Sequence, residues 1–222
     1  AGTVYTLDAL SALGEVARTH GLPLHLDGAR WSNAAVALGC TPREMVRAAG
    51  AAALSLGASK AGAMGVEAVV LVDPPPGLAD EARLRRQRMG LTVSKHRYLA
   101  AQLVAWLEGG LWRDMAETAN AAALRLAHGL AAHPAVTLDH PVEGNMVFAR
   151  LPRALHRRLR AGGAVYSPSD RSEPDLDSGP DDSPLGARFV CDWATDAGRV
   201  DALLAVLGRD QAGDGSGAPG AV

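Results

Sequence analysis

The amino-acid sequence predicts an α/β fold, with part of a mainly parallel sheet in the first half of the chain and a small α+β domain after it. Three observations point there. Short apolar runs bounded by glycine and proline alternate with segments of helical periodicity between Thr6 and Leu107, the pattern produced by helix-covered parallel sheets. The first of these runs ends on Asp27-Gly28, a polar turn placed where such sheets present ligand-binding groups. After a long helical stretch, Leu111 to Ala132, the pattern changes to short strands with two accompanying helices.

Leu7, Leu10, Leu13 and Val16 recur at helical spacing behind Thr6, a residue type that caps helix N-termini. Thr6 to Thr19 is therefore expected to be an amphipathic helix, stopped by Gly21 and Pro23. A short apolar strand, Leu22 to Leu26, follows. A helix over Trp31 to Leu38 comes next, and Thr41-Pro42 reads as a cap with proline at the first helical position of another. The strands Ala52 to Leu56 and Glu67 to Val72 flank a loop of small residues, Gly57 to Gly65, and Pro74-Pro75-Pro76 closes the second strand. Leu78 to Met89 and Thr92 to Leu107 both carry helical patterns, separated by Gly90. In the second half, Val136 to Leu138, Asn145 to Ala149 and Arg188 to Cys191 read as strands, with helices over Arg153 to Arg160 and Ala197 to Leu207. Ser167 to Pro184, rich in Ser, Pro and acidic residues, is expected to be a mobile surface loop. The expected organisation is a large-domain portion over 1–115, a small domain over 116–208 and a disordered tail over 209–222.

Composition narrows the function classes. With 48% hydrophobic and 21% charged residues, the 222-residue chain is ordinary for a globular protein. A formal net charge of -2 and a pI near 6.4 argue against a nucleic-acid or acidic-membrane partner. The longest apolar runs are far too short to span a bilayer, and Ala1 to Leu10 lacks the basic-then-apolar pattern of a signal peptide. Cys40 and Cys191 are the only cysteines, so a disulfide scaffold is not expected and both read as small buried hydrophobes. A cytoplasmic location follows. The histidines show no metal-ligand spacing, and no metal is expected.

Of 22 basic residues only Lys60 and Lys95 are lysine, so a lysine in a run of small residues stands out. Lys60 follows Leu54-Ser55-Leu56-Gly57-Ala58-Ser59 and precedes Ala61-Gly62-Ala63-Met64-Gly65. Such a lysine is expected to lie close to the backbone and to be poorly solvated, which favours the neutral amine needed for imine formation. Upstream, His25-Leu26-Asp27-Gly28-Ala29-Arg30 places a carboxylate at a strand end, with an arginine within reach of the same crevice. A lysine amine and a carboxylate in this order are what pyridoxal 5'-phosphate (PLP) chemistry needs: the amine holds the cofactor, and the carboxylate keeps the pyridine nitrogen protonated. Ser59 is placed to add a hydroxyl contact to the phosphate, and His25, on the strand face of Asp27, to lie near the ring. Each piece also has a plain structural reading. Asp27-Gly28 is a turn signal, Lys60 a surface lysine and His25 a structural histidine. The ordered pair is more specific than either part.

These two segments resemble the signature segments of the low-specificity L-threonine aldolases and their beta-eliminating-lyase relatives. The resemblance extends to Gly2-Thr3-Val4-Tyr5-Thr6-Leu7, to Ser94-Lys95 through Gln102, to Val142-Glu143-Gly144-Asn145, and to Arg188-Phe189-Val190 before Trp193-Ala194-Thr195. It implies a fold-type-I PLP-dependent enzyme, with Lys60 as the Schiff-base lysine, Asp27 as the pyridinium partner and Arg30 near the phenolic oxygen. Arg188 would clamp the substrate carboxylate with a bidentate fork; its plain reading is an exposed strand-edge arginine. Arg85, Arg86 and Arg88 would reach a neighbouring subunit's phosphate or simply form a solvated helix face. A homodimer or homotetramer is implied.

Three departures qualify the match. Ala61 stands where relatives usually have asparagine, and alanine (Ala52 or Ala53) replaces an acidic residue before the second strand. The Gly/Thr phosphate turn and the ring-stacking histidine of the family belong to a part upstream of Ala1, so the chain is expected to be a fragment or to have its upstream half elsewhere. The implied activity is aldol cleavage of a small-molecule β-hydroxy-α-amino acid to glycine and an aldehyde. The alternatives are another PLP reaction such as β-elimination, or a non-catalytic fragment that keeps the fold.

Overall fold

The computed structural model describes residues 2–169 and 175–208. The expected tail over 209–222 lies outside the described residues. Val4–Thr118 form one compact unit, and Ala119 onward, with the residues before Val4, form the other.

In the first unit, α1 (Leu7–Thr19) begins where the Thr6 hydroxyl accepts from the Ala9 amide at 3.1 Å. Its buried face differs from the one expected. Leu10 is buried, but Leu13 and Val16 are exposed. The face turned to the core passes through Leu10 and Gly14 instead. A β-carbon at Gly14 would lie 2.2 Å from the Ala49 carbonyl oxygen, so α1 approaches the backbone of α3 more closely than any side chain allows. The leucine pattern was outweighed by this single missing side chain.

Strand β1 (His25–Gly28) starts later than expected and takes in Asp27-Gly28. Helix α2 (Trp31–Leu38) ends at Gly39 in the left-handed conformation, and α3 (Pro42–Ala49) carries a full capping box between Thr41 and Glu44 with proline in its first turn. Strands β2 (Ala53–Gly57) and β3 (Glu67–Leu71) complete a sheet in the order β1-β2-β3. The β1–β2 pair is parallel, as a sheet with helical crossovers requires, but β3 runs antiparallel to β2. The connection over 58–66 is too short for a parallel crossover and makes a hairpin instead. Leu54 and Leu56 turn one sheet face into a core with Trp31, Trp106 and Trp112. Helices α4 (Leu78–Arg88), α5 (Arg97–Leu107) and α6 (Leu111–Ala131) follow. The helix expected from Thr92 starts only at Arg97, because Lys95 adopts a positive φ of 59° that breaks any helix before it.

The second unit holds a four-stranded antiparallel sheet in the order β4-β5-β7-β6, built from β4 (Thr137–Leu138), β5 (Met146–Pro152), β6 (Ser167–Pro168) and β7 (Pro184–Val190). Val147, Ala149, Leu151 and Ala187 of this sheet pack with Leu159 of α7 (Arg153–Ala161) and Val200 of α8 (Ala197–Leu207). The segment expected to be a mobile loop opens with β6, and its described remainder is tied to α7. Arg157 donates to the Leu176 carbonyl at 2.8 Å and to Asp181, and Arg153 donates to the Pro180 carbonyl at 3.2 Å. Residues 170–174 of that segment lie outside the described residues. Both cysteines are free, and burial pushes the Cys191 thiol up to about 11, so it stays protonated and behaves as a small hydrophobe.

His156 is buried in this unit. Its Nε2–H donates to the Leu185 carbonyl at 3.1 Å, which leaves Nδ1 to accept from the Tyr166 hydroxyl at 2.9 Å. Burial pushes its pKa below the ordinary 6.5. The unfolded chain therefore takes up this proton before the folded one does. Stability falls as pH drops below 6.5 and levels off below the folded-state value. In urea unfolding this one site contributes a slope of at most about 1.4 kcal/mol per pH unit. His156→Gln removes that part of the pH dependence.

Candidate active site

The parallel register sets Asp27 beside Ser55 and Gly28 beside Leu56. Alternation along the strands buries Gly28, Leu54 and Leu56, and leaves His25 and Asp27 exposed on the other face. His25 Nε2 and the Ser55 hydroxyl share a 2.8 Å hydrogen bond, and Asp27 Oδ1 accepts from the Ala29 amide at 3.0 Å. The first bond fixes the imidazole to the neighbouring strand. The second holds the carboxylate at the strand end. Arg30 is half-buried at the N-terminus of α2.

Two glycines bring this turn against β2. A β-carbon at Gly28 would lie 2.3 Å from the Ser55 carbonyl oxygen, and one at Gly57 would lie 2.7 Å from Ala29 Cα. The end of β2 therefore crosses the turn after Asp27 at backbone contact distance. Lys60 follows three residues later, on a 3₁₀ turn (Ser59–Ala61) closed by Gly62 at φ 114°. Asp27, at the carboxyl end of β1, and Lys60, beyond that of β2, thus sit at the carboxyl side of adjacent parallel strands, where α/β sheets bind ligands.

The turn that carries Lys60 is held from three sides. Glu67 Oε2 accepts from the Ala58 amide at 3.1 Å and Oε1 from the Ser59 amide at 3.3 Å. The Trp106 indole N–H donates to the Ala61 carbonyl at 2.8 Å, and Gln102 Oε1 accepts from the Met64 and Gly65 amides at 3.1 and 3.3 Å. Sequence reasoning picked out none of these three for the turn. The available signals were faint: a glutamate opening an apolar strand, and a tryptophan on the apolar stripe of α5.

One expectation is corrected here. Lys60 is exposed, not desolvated by its neighbours, because glycine and alanine carry too few atoms to cover a four-carbon stem. The Ser59 hydroxyl donates to the Val66 carbonyl at 3.2 Å. Arg188 belongs to the other unit. It is exposed on β7 between Phe148 of β5 and Ser167 of β6, an interior strand and not a sheet edge. Arg85 pairs with Glu81 at 2.7 Å on α4, a helix that buries none of its residues. No group of three or more metal-ligating side chains occurs among the described residues.

The family model of the beta-eliminating lyases matches residues 1–152. The chain belongs to this family. It is 39% identical over 199 residues to the low specificity L-threonine aldolase of Pseudomonas aeruginosa, covering 90% of this chain and 54% of the relative. It is 38% identical over 204 residues to the enzyme of the same name from a Pseudomonas species, covering 92% and 55%. The chain therefore spans about half the length of the curated relatives it matches. Among solved structures, the threonine aldolase of Leishmania major superposes with a TM-score of 0.79 at 25% identity, over 92% of this chain and 56% of that one. The tryptophan decarboxylase of Catharanthus roseus, at 14% identity and a TM-score of 0.63 over 93% of this chain and 49% of that one, shares the fold. That fold is the fold-type-I architecture of PLP-dependent enzymes.

The glycine crossing makes a direct prediction for this beta-eliminating lyase chain. Gly57→Ala forces a methyl group into the Ala29 backbone, and urea unfolding is expected to show a loss of about 1–3 kcal/mol from overpacking.

Proposed function

We propose that this chain contributes the covalent anchor and the electronic partner of PLP to a lyase that cleaves a threonine-like β-hydroxy-α-amino acid into glycine and an aldehyde. The observation that carries the reading is that Asp27 and Lys60 stand at the carboxyl side of adjacent parallel strands. The kinship with threonine aldolases directs it to this substrate class.

The donor set fits the ring end of the cofactor. An amine, a carboxylate and an imidazole are exposed at neighbouring strand ends, with only small residues between Lys60 and the sheet. Toward the phosphate it offers the Ser59 hydroxyl, which would turn from the Val66 carbonyl to the cofactor; the Ala58 and Ser59 amides are taken by Glu67.

PLP, when bound, supplies an electron sink for the bond broken at the substrate α-carbon. Lys60 Nζ would hold the cofactor through its aldehyde carbon, and the Asp27 carboxylate would accept from the pyridine N–H. The Ala29 amide on Oδ1 holds the Asp27 carboxylate in place. His25, fixed by Ser55, lies on the same sheet face as Asp27 and would stand near the ring, and Arg30 would bind near the phenolic oxygen. In the second unit the Arg188 guanidinium binds the substrate carboxylate by a two-pronged bond.

A second copy of the chain is the proposed partner. Met89, Leu91, Val93 and Tyr98 are all more than half exposed within one stretch that follows α4. Apolar surface of this kind is ordinarily covered by another protein. Free cysteines and the lack, among the described residues, of a helix long and apolar enough to cross a membrane support a cytoplasmic setting. Sedimentation equilibrium is expected to show a homodimer or homotetramer; a monomer at micromolar concentration would count against the second copy.

The activity is tested by incubating the PLP-loaded protein with threonine or phenylserine. Glycine and the matching aldehyde are expected, whereas a ketoacid with ammonia would point to elimination. Lys60→Ala should abolish turnover and the borohydride-sensitive absorbance of the lysine-bound cofactor. Arg188→Ala should raise KM by about tenfold or more, the loss of a charge-assisted pair.

A further inference from the structure

We propose that Trp106 is a positioning residue that fixes Lys60 relative to Asp27. This rests on the reading of Lys60 as the lysine that holds the cofactor.

The indole touches the segment that carries Lys60 and the residue that follows the segment carrying Asp27. Its N–H donates to the carbonyl of Ala61, the residue after Lys60, at 2.8 Å across a separation of 45 residues. Its ring meets Trp31, the residue after Arg30, edge to face at a centroid distance of 5.5 Å and an interplanar angle of 84°. Trp31 in turn packs on Trp112 at 4.8 Å. Trp106 is 2% exposed and Trp31 4%, so neither ring has room to shift without opening the core.

Chemistry supplies the reason. A cofactor held by Lys60 at one end and Asp27 at the other needs those two groups at a constant separation, and both are exposed, Asp27 near the end of β1 and Lys60 on a short turn. Glu67 and Gln102 restrain the Lys60 loop against its own hairpin strand and against α5. The glycine crossing joins the base of that loop to the turn after Asp27, and Trp106 adds a side-chain link from the far end of the loop to α2, through the Ala61 bond and the Trp31 ring. The Ala61 carbonyl lies at the end of a single 3₁₀ turn, where a backbone acceptor lacks a helical partner, and Ala61 itself is buried. Without the indole this acceptor would be left unsatisfied, and the turn would rearrange to satisfy it.

The test compares Trp106→Phe, which keeps a ring and removes the N–H, with Val46→Ala, which thins the same core from α3. Hydrogen exchange read by mass spectrometry should speed up about five- to tenfold over 58–63 in Trp106→Phe, the effect of one lost buried hydrogen bond, with protection in α1 unchanged. The second readout is borohydride trapping at sub-saturating PLP. The fraction of Lys60 carrying the pyridoxyl group should fall about tenfold in Trp106→Phe, and the pH midpoint of the lysine-bound absorbance should move. Val46→Ala should lower the thermal midpoint and leave both unchanged. Equal changes in the two variants would assign the effect to core packing and overturn the proposal. Normal exchange, labelling and midpoint in Trp106→Phe would overturn it too, with the role of Lys60 intact. Unmodified Lys60 in the parent protein would remove the underlying reading and this inference with it. If Trp106→Phe does not fold, Trp31→Phe, which keeps the Ala61 bond and trims the edge contact, is read in the same way; an unmoved midpoint there overturns the proposal.

Discussion

The end of β2 runs against the turn after Asp27 so closely that the two backbones touch, and the residues at both crossing points are glycines. Gly28 lies over the Ser55 carbonyl, and Gly57 over the backbone of Ala29. Everything else in the candidate site is arranged around this crossing. It brings the carboxylate and the lysine turn to neighbouring strand ends, and it sets the register that lets His25 reach Ser55. It also explains why the chemistry-bearing residues are exposed while the residues between them are buried. The strands alternate, and Gly28 belongs to the inward set with Leu54 and Leu56.

Restraint of the lysine turn is divided among unlike interactions. Glu67 satisfies the amides at its start, Trp106 the carbonyl at its end, and Gln102 the amides beyond. A turn of three residues has too few internal hydrogen bonds to hold one shape, and side chains from distant elements supply the remainder. The second unit is stabilised differently, by a conventional sheet-on-helix core in which buried His156 bonds to half-buried Tyr166.

Much of this was legible in the sequence because it is local. The Thr41-Pro42 start of α3, the extent of α2 and the strand ending at Asp27-Gly28 follow from residues a few positions apart. The two strands that lead to Asp27 and to Lys60 were legible too, and they lie side by side in parallel. What escaped depends on contacts between distant segments. The buried face of α1 is decided by Ala49 meeting Gly14, the direction of β3 by the length of its connection, and the break before α5 by one left-handed lysine. The exposure of Lys60 escaped for a related reason: small neighbours look like an apolar setting in a sequence, yet in three dimensions they leave a long side chain uncovered.

The lysine is carried on a hairpin between antiparallel strands, with Gly57 and Glu67 facing each other at its base. That geometry limits how the segment can vary over evolution. An added or deleted residue in a crossover loop is absorbed at the surface. Here a single insertion or deletion that shifted β3 would turn its inward residues outward and carry Glu67 off the amides it caps. Descendants of this sequence can therefore exchange side chains within 58–66 far more readily than they can change its length.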